Sequence, residues 1–205
     1  MIFAFAVFVF ILAGCKKDNN GSDGGNDNGD GNPFVINISD VIKVYEYSPD
    51  ITRVLAKMND KLFIEPTQYE NNSCKLTLPS IVSPEFLRDD GYISFGRWLP
   101  DEINAKIGEL TIYAATDESN GWSGLSYHDE RLADENDDNY YYCEAVYLYS
   151  SMNFTVRKEY YGDHWDCNFR KGWNVLYYYQ GIGYAGWERI TTQKPSGVNL
   201  KWYLY

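Results

Sequence analysis

The chain ends in VNLKWYLY, Val198–Tyr205, and this stretch carries the clearest periodic pattern in the sequence. Apolar side chains recur at every second position, at Val198, Leu200, Trp202 and Leu204. A period of two places them on one face of a β-strand, because successive side chains of a strand point to opposite faces. A strand with such an apolar face is expected inside a sheet, since an exposed edge of this kind promotes pairing with other chains.

The same short period runs through most of the chain. CKLTLP (Cys74–Pro79) and MNFTVRK (Met152–Lys158) alternate apolar and polar residues, whereas YYYCEAVYLYS (Tyr140–Ser150) is nearly all apolar, as is typical of a strand covered on both faces. Helical signals are confined to one turn at Ser83-Pro84-Glu85 and a short segment, Pro100–Ile107. Many short strands separated by turns predict an all-β fold, a β-sandwich of short antiparallel strands.

Composition limits the classes of partner. The 205 residues include 29 Asp and Glu against 18 Lys and Arg, which gives a net charge of -11. A protein that tracks nucleic-acid phosphates needs clustered Lys and Arg, and the basic runs of this sequence are no longer than pairs. We therefore expect no nucleic-acid partner.

The N-terminus carries an apolar run, Ile2–Leu12, that leads into Leu12-Ala13-Gly14-Cys15. The run is shorter than the roughly 20 residues that a membrane-spanning helix needs, and it fits the apolar region of a secretory signal. The tetrapeptide resembles the lipobox of bacterial lipoproteins. That resemblance implies a signal peptide over residues 1–14, cleavage before Cys15, and attachment of a diacylglyceryl group and a further acyl chain such as palmitate to Cys15.

Residues 15–33 contain the lipidation cysteine and a segment of Gly, Asn and Asp that is expected to stay disordered, because it has little apolar surface to bury. It predicts a flexible tether between the lipid and a domain at 34–205. An acidic tether behind a lipidated cysteine is similar to the export signal of surface-displayed lipoproteins, which implies the outer membrane, facing the periplasm or the cell surface. A break at residues 88–91 is a candidate boundary between two sheets, and we favour one domain over two.

Two short motifs, Lys171-Gly172-Trp173-Asn174 and Lys194-Pro195-Ser196-Gly197, each lie beside an aromatic strand. In these residues the later half resembles small secreted β-sandwich lipoproteins of unassigned function. The resemblance implies a secreted β-sandwich and no activity.

Residues typical of catalysis or metal binding are few. His128 and His164 each have acidic neighbours, but a zinc site needs more ligands, and both are expected in surface loops. GWSGL at Gly121 lacks the last glycine of a nucleophile elbow, although a triad can still assemble in space. The acidic run Asp129–Asn139 is interpreted as solvated charge. The alternative is a calcium loop formed by Asp134, Glu135, Asp137 and Asp138. We predict no catalytic residue and no cofactor.

Three tryptophans, Trp122, Trp165 and Trp187, occur in polar or Gly-rich segments that suggest turns. Exposed aromatic rings at loop tips form flat apolar surfaces that suit sugar rings or a partner protein. The alternative is that each ring folds back over the end of the sandwich. We predict these three as ligand-binding residues.

Three cysteines, Cys74, Cys143 and Cys167, remain after lipidation. An oxidising compartment permits one disulfide and leaves one thiol over. We predict Cys143–Cys167 as the pair.

Together these patterns predict a non-catalytic, lipid-anchored lipoprotein of the cell envelope that binds a glycan or a protein partner through loop aromatics. One alternative is a structural or adhesin-like assembly subunit that uses Val198–Tyr205 as a detachable strand. A second alternative is a glycan-active hydrolase that uses loop carboxylates.

Overall fold

The computed structural model describes residues 33–45, 50–93, 97–101, 103–115, 121–131, 141–160, 163–181 and 187–205. Within these residues the chain is mostly β-strand, and its helical structure is one 3-10 turn, Pro84–Phe86. The turn begins at proline, as predicted, because the missing N–H of proline is not needed in a first helical turn. The prediction of an all-β fold is confirmed.

The strands of the described residues follow one another closely along the chain. In chain order they are β1 Phe34–Ser39, β2 Ile42–Lys43, β3 Arg53–Met58, β4 Lys61–Gln68, β5 Ser73–Leu78, β6 Tyr92–Ile93, β7 Arg97–Trp98, β8 Ile107–Ala115, β9 Trp122–Arg131, β10 Tyr141–Ser150, β11 Phe154–Tyr160, β12 Asp163–Phe169, β13 Gly172–Gly181, β14 Trp187–Thr191 and β15 Lys201–Leu204.

Two sheets pack together as a β-sandwich. The small sheet pairs β1 with β5, and the large sheet of eleven described strands runs in the order β11-β12-β14-β13-β10-β8-β9-β15-β2, with β3 joined to β8 and β4 to β3. Most neighbours are antiparallel, whereas β12 with β14 and β15 with β2 are parallel. The predicted sandwich is confirmed, and the two parallel pairs are additions that the sequence pattern did not predict.

The first core lies between the two sheets. Ile36, Ile38, Leu76 and Leu78 of the small sheet are at most 1% exposed. They belong to the same buried cluster as Trp202 of the large sheet, whose Nε1 donates a hydrogen bond to the Asn37 carbonyl at 3.0 Å. Burying one such aliphatic side chain stabilises the fold by roughly 1.5–3 kcal/mol.

The large sheet is covered on its opposite face as well. Along β10, Cys143 and Ala145 belong to a cluster that Val198 and Leu200 cover. Leu148 points to the other face and belongs to a second core with Trp165, Cys167 and Ile93. The prediction that Tyr140–Ser150 contains a strand covered on both faces is therefore confirmed for β10.

A junction of three strands bends the large sheet. β8 pairs with β10 through Ile107–Leu110 and with β9 through Ile112–Ala115, while β9 also pairs with the first residues of β10. All three pairings are antiparallel. A flat sheet cannot contain this arrangement, because two strands that are both antiparallel to a third run parallel to each other. The strands must therefore bend where they meet.

The C-terminal strand lies inside the sheet, as predicted. β15 pairs with β9 on one side and with β2 on the other, and Val198, Leu200, Trp202 and Leu204 are all buried. A strand used for assembly with another chain would first have to leave both neighbours.

One helix prediction is wrong. Within Pro100–Ile107 the described residues form a turn at Pro100–Ile103, where the Ile103 N–H donates to the Pro100 carbonyl at 2.8 Å, and β8 begins at Ile107. Ala105 and Ile107 are drawn into the second core, which favours an extended approach to β8 over a helix.

The predicted Cys143–Cys167 disulfide is also wrong. Cys74, Cys143 and Cys167 are buried thiols, and each belongs to a different core cluster. Cys143 and Cys167 point to opposite faces of the large sheet, so the two sulfur atoms cannot approach bonding distance. Burial raises the pKa of Cys74 to about 11 and that of Cys167 to about 12, which keeps both protonated and unreactive at neutral pH.

The small sheet offers a matched test of the first core. We expect Leu76→Ala to lower the free energy of unfolding by about 2–5 kcal/mol, because it leaves a cavity where the side chain is fully buried. Thr77→Ala on the exposed face of the same strand should change it by no more than about 0.5 kcal/mol. Urea titrations followed by tryptophan fluorescence measure both, and equal effects of the two substitutions contradict the assigned faces.

Candidate functional site

Several predicted site residues lie outside the described residues. Cys15 is one of them, and so are the acidic residues of the alternative calcium loop, Asp134, Glu135, Asp137 and Asp138. The described residues contain no cluster of three or more His, Cys, Asp or Glu side chains arranged to hold a metal ion.

The three predicted ligand-binding tryptophans have different environments. Trp165 lies in β12 and is 1% exposed within the second core, so its prediction as an exposed loop aromatic is wrong. Trp122 begins β9 and is half-buried, with the Arg53 guanidinium 5.8 Å from its ring centre. Trp187 begins β14, and its side chain lies outside the described part of the chain.

Among the tryptophan side chains that the structure describes, Trp98 is the exposed one. Trp98 in β7 is 47% exposed and packs edge-to-face on Tyr92, with the ring centres 5.2 Å apart. The Arg88 guanidinium lies 4.8 Å from the Tyr92 ring centre. The same guanidinium forms an ion pair with the Asp90 carboxylate.

The two histidines are both in strands rather than loops. His164 in β12 is a surface residue, as predicted, with 42% of its side chain exposed. His128 in β9 is fully buried, so its prediction as a surface histidine is wrong. It stacks on Tyr203 of the C-terminal strand, with the ring centres 4.0 Å apart.

His128 belongs to a polar network on β9, β10 and the C-terminal segment. Ser126 Oγ lies 3.0 Å from His128 Nδ1 and 3.0 Å from Glu144 Oε1. The Tyr142 hydroxyl donates to Glu144 Oε2 at 2.6 Å, and the Tyr205 hydroxyl lies 3.2 Å from His128 Nε2. Burial and the Glu144 charge raise the pKa of Tyr142 well above its usual range, so this hydroxyl remains a donor.

The hydrogens of this network have one consistent assignment when Glu144 is a carboxylate and His128 is neutral. A carboxylate only accepts hydrogen bonds, so Ser126 donates its single hydrogen to Glu144. The contact between Ser126 Oγ and His128 Nδ1 then requires Nδ1–H to donate. In the neutral imidazole Nε2 accepts, and it receives the Tyr205 hydroxyl hydrogen.

The network has the residue types of a catalytic triad but different connections. A nucleophilic serine must donate to histidine, whose other nitrogen is held by a carboxylate. Here Ser126 donates to the carboxylate itself, and the far nitrogen of His128 contacts a tyrosine hydroxyl. The arrangement satisfies buried polar groups and fixes the C-terminal segment to β9 and β10.

A cavity of about 100 Å³ adjoins this polar network at the strand junction. It is lined in part by Ser126, Glu144 and Trp202.

An open groove lies elsewhere on the large sheet, where β12, β14 and β13 run side by side. Across these strands His164 pairs with Arg189 and Arg189 with Tyr179, while Asp166 pairs with Thr191. One hollow of about 370 Å³ lies over these residues. A second hollow of about 420 Å³ adjoins it and shares His164, Asp166 and Gln193. The two hollows share these residues and together form one open groove.

The segment after β14 forms one wall of this groove, from Gln193 to Ser196. It is anchored at its start, because the Gln193 N–H donates to Thr191 Oγ1 at 3.0 Å and the Asn168 N–H donates to Thr192 Oγ1 at 2.9 Å. It is anchored at its end by the buried Val198 and by the Asn199 N–H, which donates to Asp129 Oδ2 at 2.8 Å. The wall is therefore held in place without a ligand.

Sequence reasoning named none of the polar groove residues as a site, although one signal was present. In DHWDCNF, Asp163–Phe169, the residues Trp165, Cys167 and Phe169 alternate with polar ones, and all three are buried. This period of two identifies β12 and places His164 and Asp166 together on the opposite face.

Comparisons with protein-family models, with curated proteins and with solved structures found no match for this chain. In the described part of the chain, no helix has the length and apolar character needed to cross a membrane. The site is therefore interpreted from its own geometry.

Removing the central hydroxyl of the polar network tests its structural role. We expect Ser126→Ala to lower the free energy of unfolding by about 1–3 kcal/mol, because His128 and Glu144 lose a partner where water has little access. Ser123→Ala, at an exposed position on the same strand, is the control and should have little effect. Chemical denaturation measures both, and an unchanged stability of Ser126→Ala contradicts this role.

Proposed function

We propose that this protein is a non-catalytic, lipid-anchored lipoprotein of the cell envelope that binds a glycan chain in the groove over β12, β14 and β13. The observation that carries the proposal is an open groove of two adjoining hollows with a pre-positioned wall. Extended grooves suit polymers, because several units of the chain make contact at once. A wall that is already ordered lowers the entropy cost of binding.

The chemistry of the groove suits a polyhydroxylated ligand. Gln193, Ser196 and Thr191 supply amide and hydroxyl groups, and Tyr179 supplies a half-buried aromatic ring. Polar groups of this kind fix the orientation of a sugar, while an aromatic ring packs on its apolar face. The groove replaces Trp165 as the proposed contact surface, because that ring is buried.

The groove favours binding over hydrolysis. Glycoside hydrolysis generally uses two carboxyl groups on either side of the scissile bond. Among the described residues that line the two hollows, Asp166 is the one carboxylate, and it lies 3.4 Å from Arg157 Nε in an ion pair.

The membrane location rests on the sequence. The lipobox Leu12-Ala13-Gly14-Cys15 and the polar segment up to Pro33 precede a first strand that begins at Phe34. We propose that lipid on Cys15 holds the domain at the outer membrane, facing the periplasm or the cell surface.

Lipid anchoring has a direct test. We expect wild type to incorporate labelled palmitate and to partition into detergent, and Cys15→Ala to do neither, because the thiol is the attachment point. Cys74→Ala is the control and should keep both properties, since that thiol is buried in the first core. A Cys15→Ala protein that still carries label contradicts the anchor.

Glycan binding is tested with a panel of neutral and acidic polysaccharides. We expect Gln193→Ala to weaken binding several-fold, because it removes an amide shared by both hollows. Gln68→Ala at the end of β4 is the matched control and should bind like wild type. If no polysaccharide of the panel binds, or if Gln193→Ala binds like wild type, the proposed function is wrong.

A further inference from the structure

The charge of the groove differs from that of the whole protein. The chain carries a net charge of -11, yet the described lining of the first hollow contains two permanent cations, Arg189 and Lys194. Its one carboxylate, Asp166, already has the Arg157 guanidinium as a partner at 3.4 Å. By formal charge the described lining therefore holds more cations than carboxylates, within a protein that is acidic as a whole.

Arg189 lies at the centre of the groove floor. Its strand, β14, runs between β12 and β13, and its cross-strand neighbours are His164 and Tyr179 rather than carboxylates. The side chain is exposed. A guanidinium presented in this way offers several N–H donors in a planar fork, which matches a carboxylate or sulfate group.

Lys194 lies in the segment Gln193–Ser196 that forms the wall of the groove. The hydrogen bonds of Gln193 and Asn168 fix the start of the wall, and Pro195 restricts the backbone directly after Lys194. Lys194 as a whole is half-buried and lines the same hollow. Two cations that line one hollow can contact acidic groups on a single chain.

We propose that the groove selects acidic polysaccharides, with Arg189 and Lys194 binding the carboxylate or sulfate groups of the chain. This inference rests on the proposed glycan-binding function and adds the ligand class. The negative charge elsewhere does not prevent binding, because at physiological ionic strength charges more than about 8 Å apart are largely screened. Close contacts within the groove therefore decide affinity.

The test uses detergent-solubilised full-length protein and pairs of polysaccharides that differ in charge alone. Polygalacturonate and its methyl ester share one backbone, and heparin and desulfated heparin distinguish sulfate from carboxylate. By isothermal titration calorimetry we expect the acidic member of at least one pair to bind at least about tenfold more tightly than its less charged partner. Raising the ionic strength to about 1 M, where the Debye length is about 3 Å, should reduce this preference.

Two double variants with the same change in net charge locate the effect. Arg189→Gln with Lys194→Gln should abolish the preference for the acidic member. Lys75→Gln with Lys201→Gln, at exposed positions on β5 and β15, should leave it intact. Circular dichroism of both double variants checks that they fold.

The outcomes separate this inference from the proposed function. If the members of each pair bind equally well and binding depends on Gln193, glycan binding stands and acidic selectivity is overturned. If both double variants lose the preference equally, net charge rather than the groove controls it, and the inference is overturned. If no polysaccharide binds at all, both proposals fail.

Discussion

The junction of β8, β9 and β10 is the constraint on which the rest of the large sheet depends. Because the three strands are mutually antiparallel, each pairs with one neighbour along part of its length and then diverges. The divergence interrupts the backbone ladder at the centre of the protein, where unpaired polar groups are costly. Ser126, Glu144 and His128 lie beside this interruption, and their side chains hydrogen-bond to one another there. The same network reaches Tyr205, so the end of the chain is held by side chains as well as by its own short strand.

Sequence patterns predicted those strands in which one or both faces are apolar. β5, β10, β11 and β15 fall in this group, because their alternating or continuous apolar residues have a core to cover. β9, β12 and β14 were interpreted as loops or turns. Their polar residues, such as His128, His164 and Arg189, belong to a buried network or a polar groove. These polar residues give the segments a loop-like composition. Short-range pattern analysis therefore fails at the strands that carry the candidate site, since functional polar groups there replace the usual alternation.

The arrangement of the site depends on pairings between distant residues. Arg189 meets His164 through the parallel β12–β14 pair and Tyr179 through the antiparallel β13–β14 pair. No local pattern specifies this parallel pair, because the chain between its two strands forms β13, which lies on the far side of β14 in the same sheet. The cysteines show the same limit. Their positions along the chain do not reveal that Cys143 and Cys167 point to opposite faces of the large sheet. The burial of Trp165 likewise follows from a second core that is assembled across several strands.

A groove of modest affinity is sufficient for the function that we propose. Lipid on Cys15 would confine many copies to one surface, and the 18 residues Lys16–Pro33, as the proposed Gly-rich tether, would span about 20–25 Å. Each domain could then turn toward a polymer while it stays at the membrane. Several copies that bind one polysaccharide gain avidity from their high local concentration, without any new contact in the single site. An exposed groove with two cations therefore fits an anchored binder better than a freely diffusing one, because surface ion pairs contribute only about 0–1 kcal/mol each.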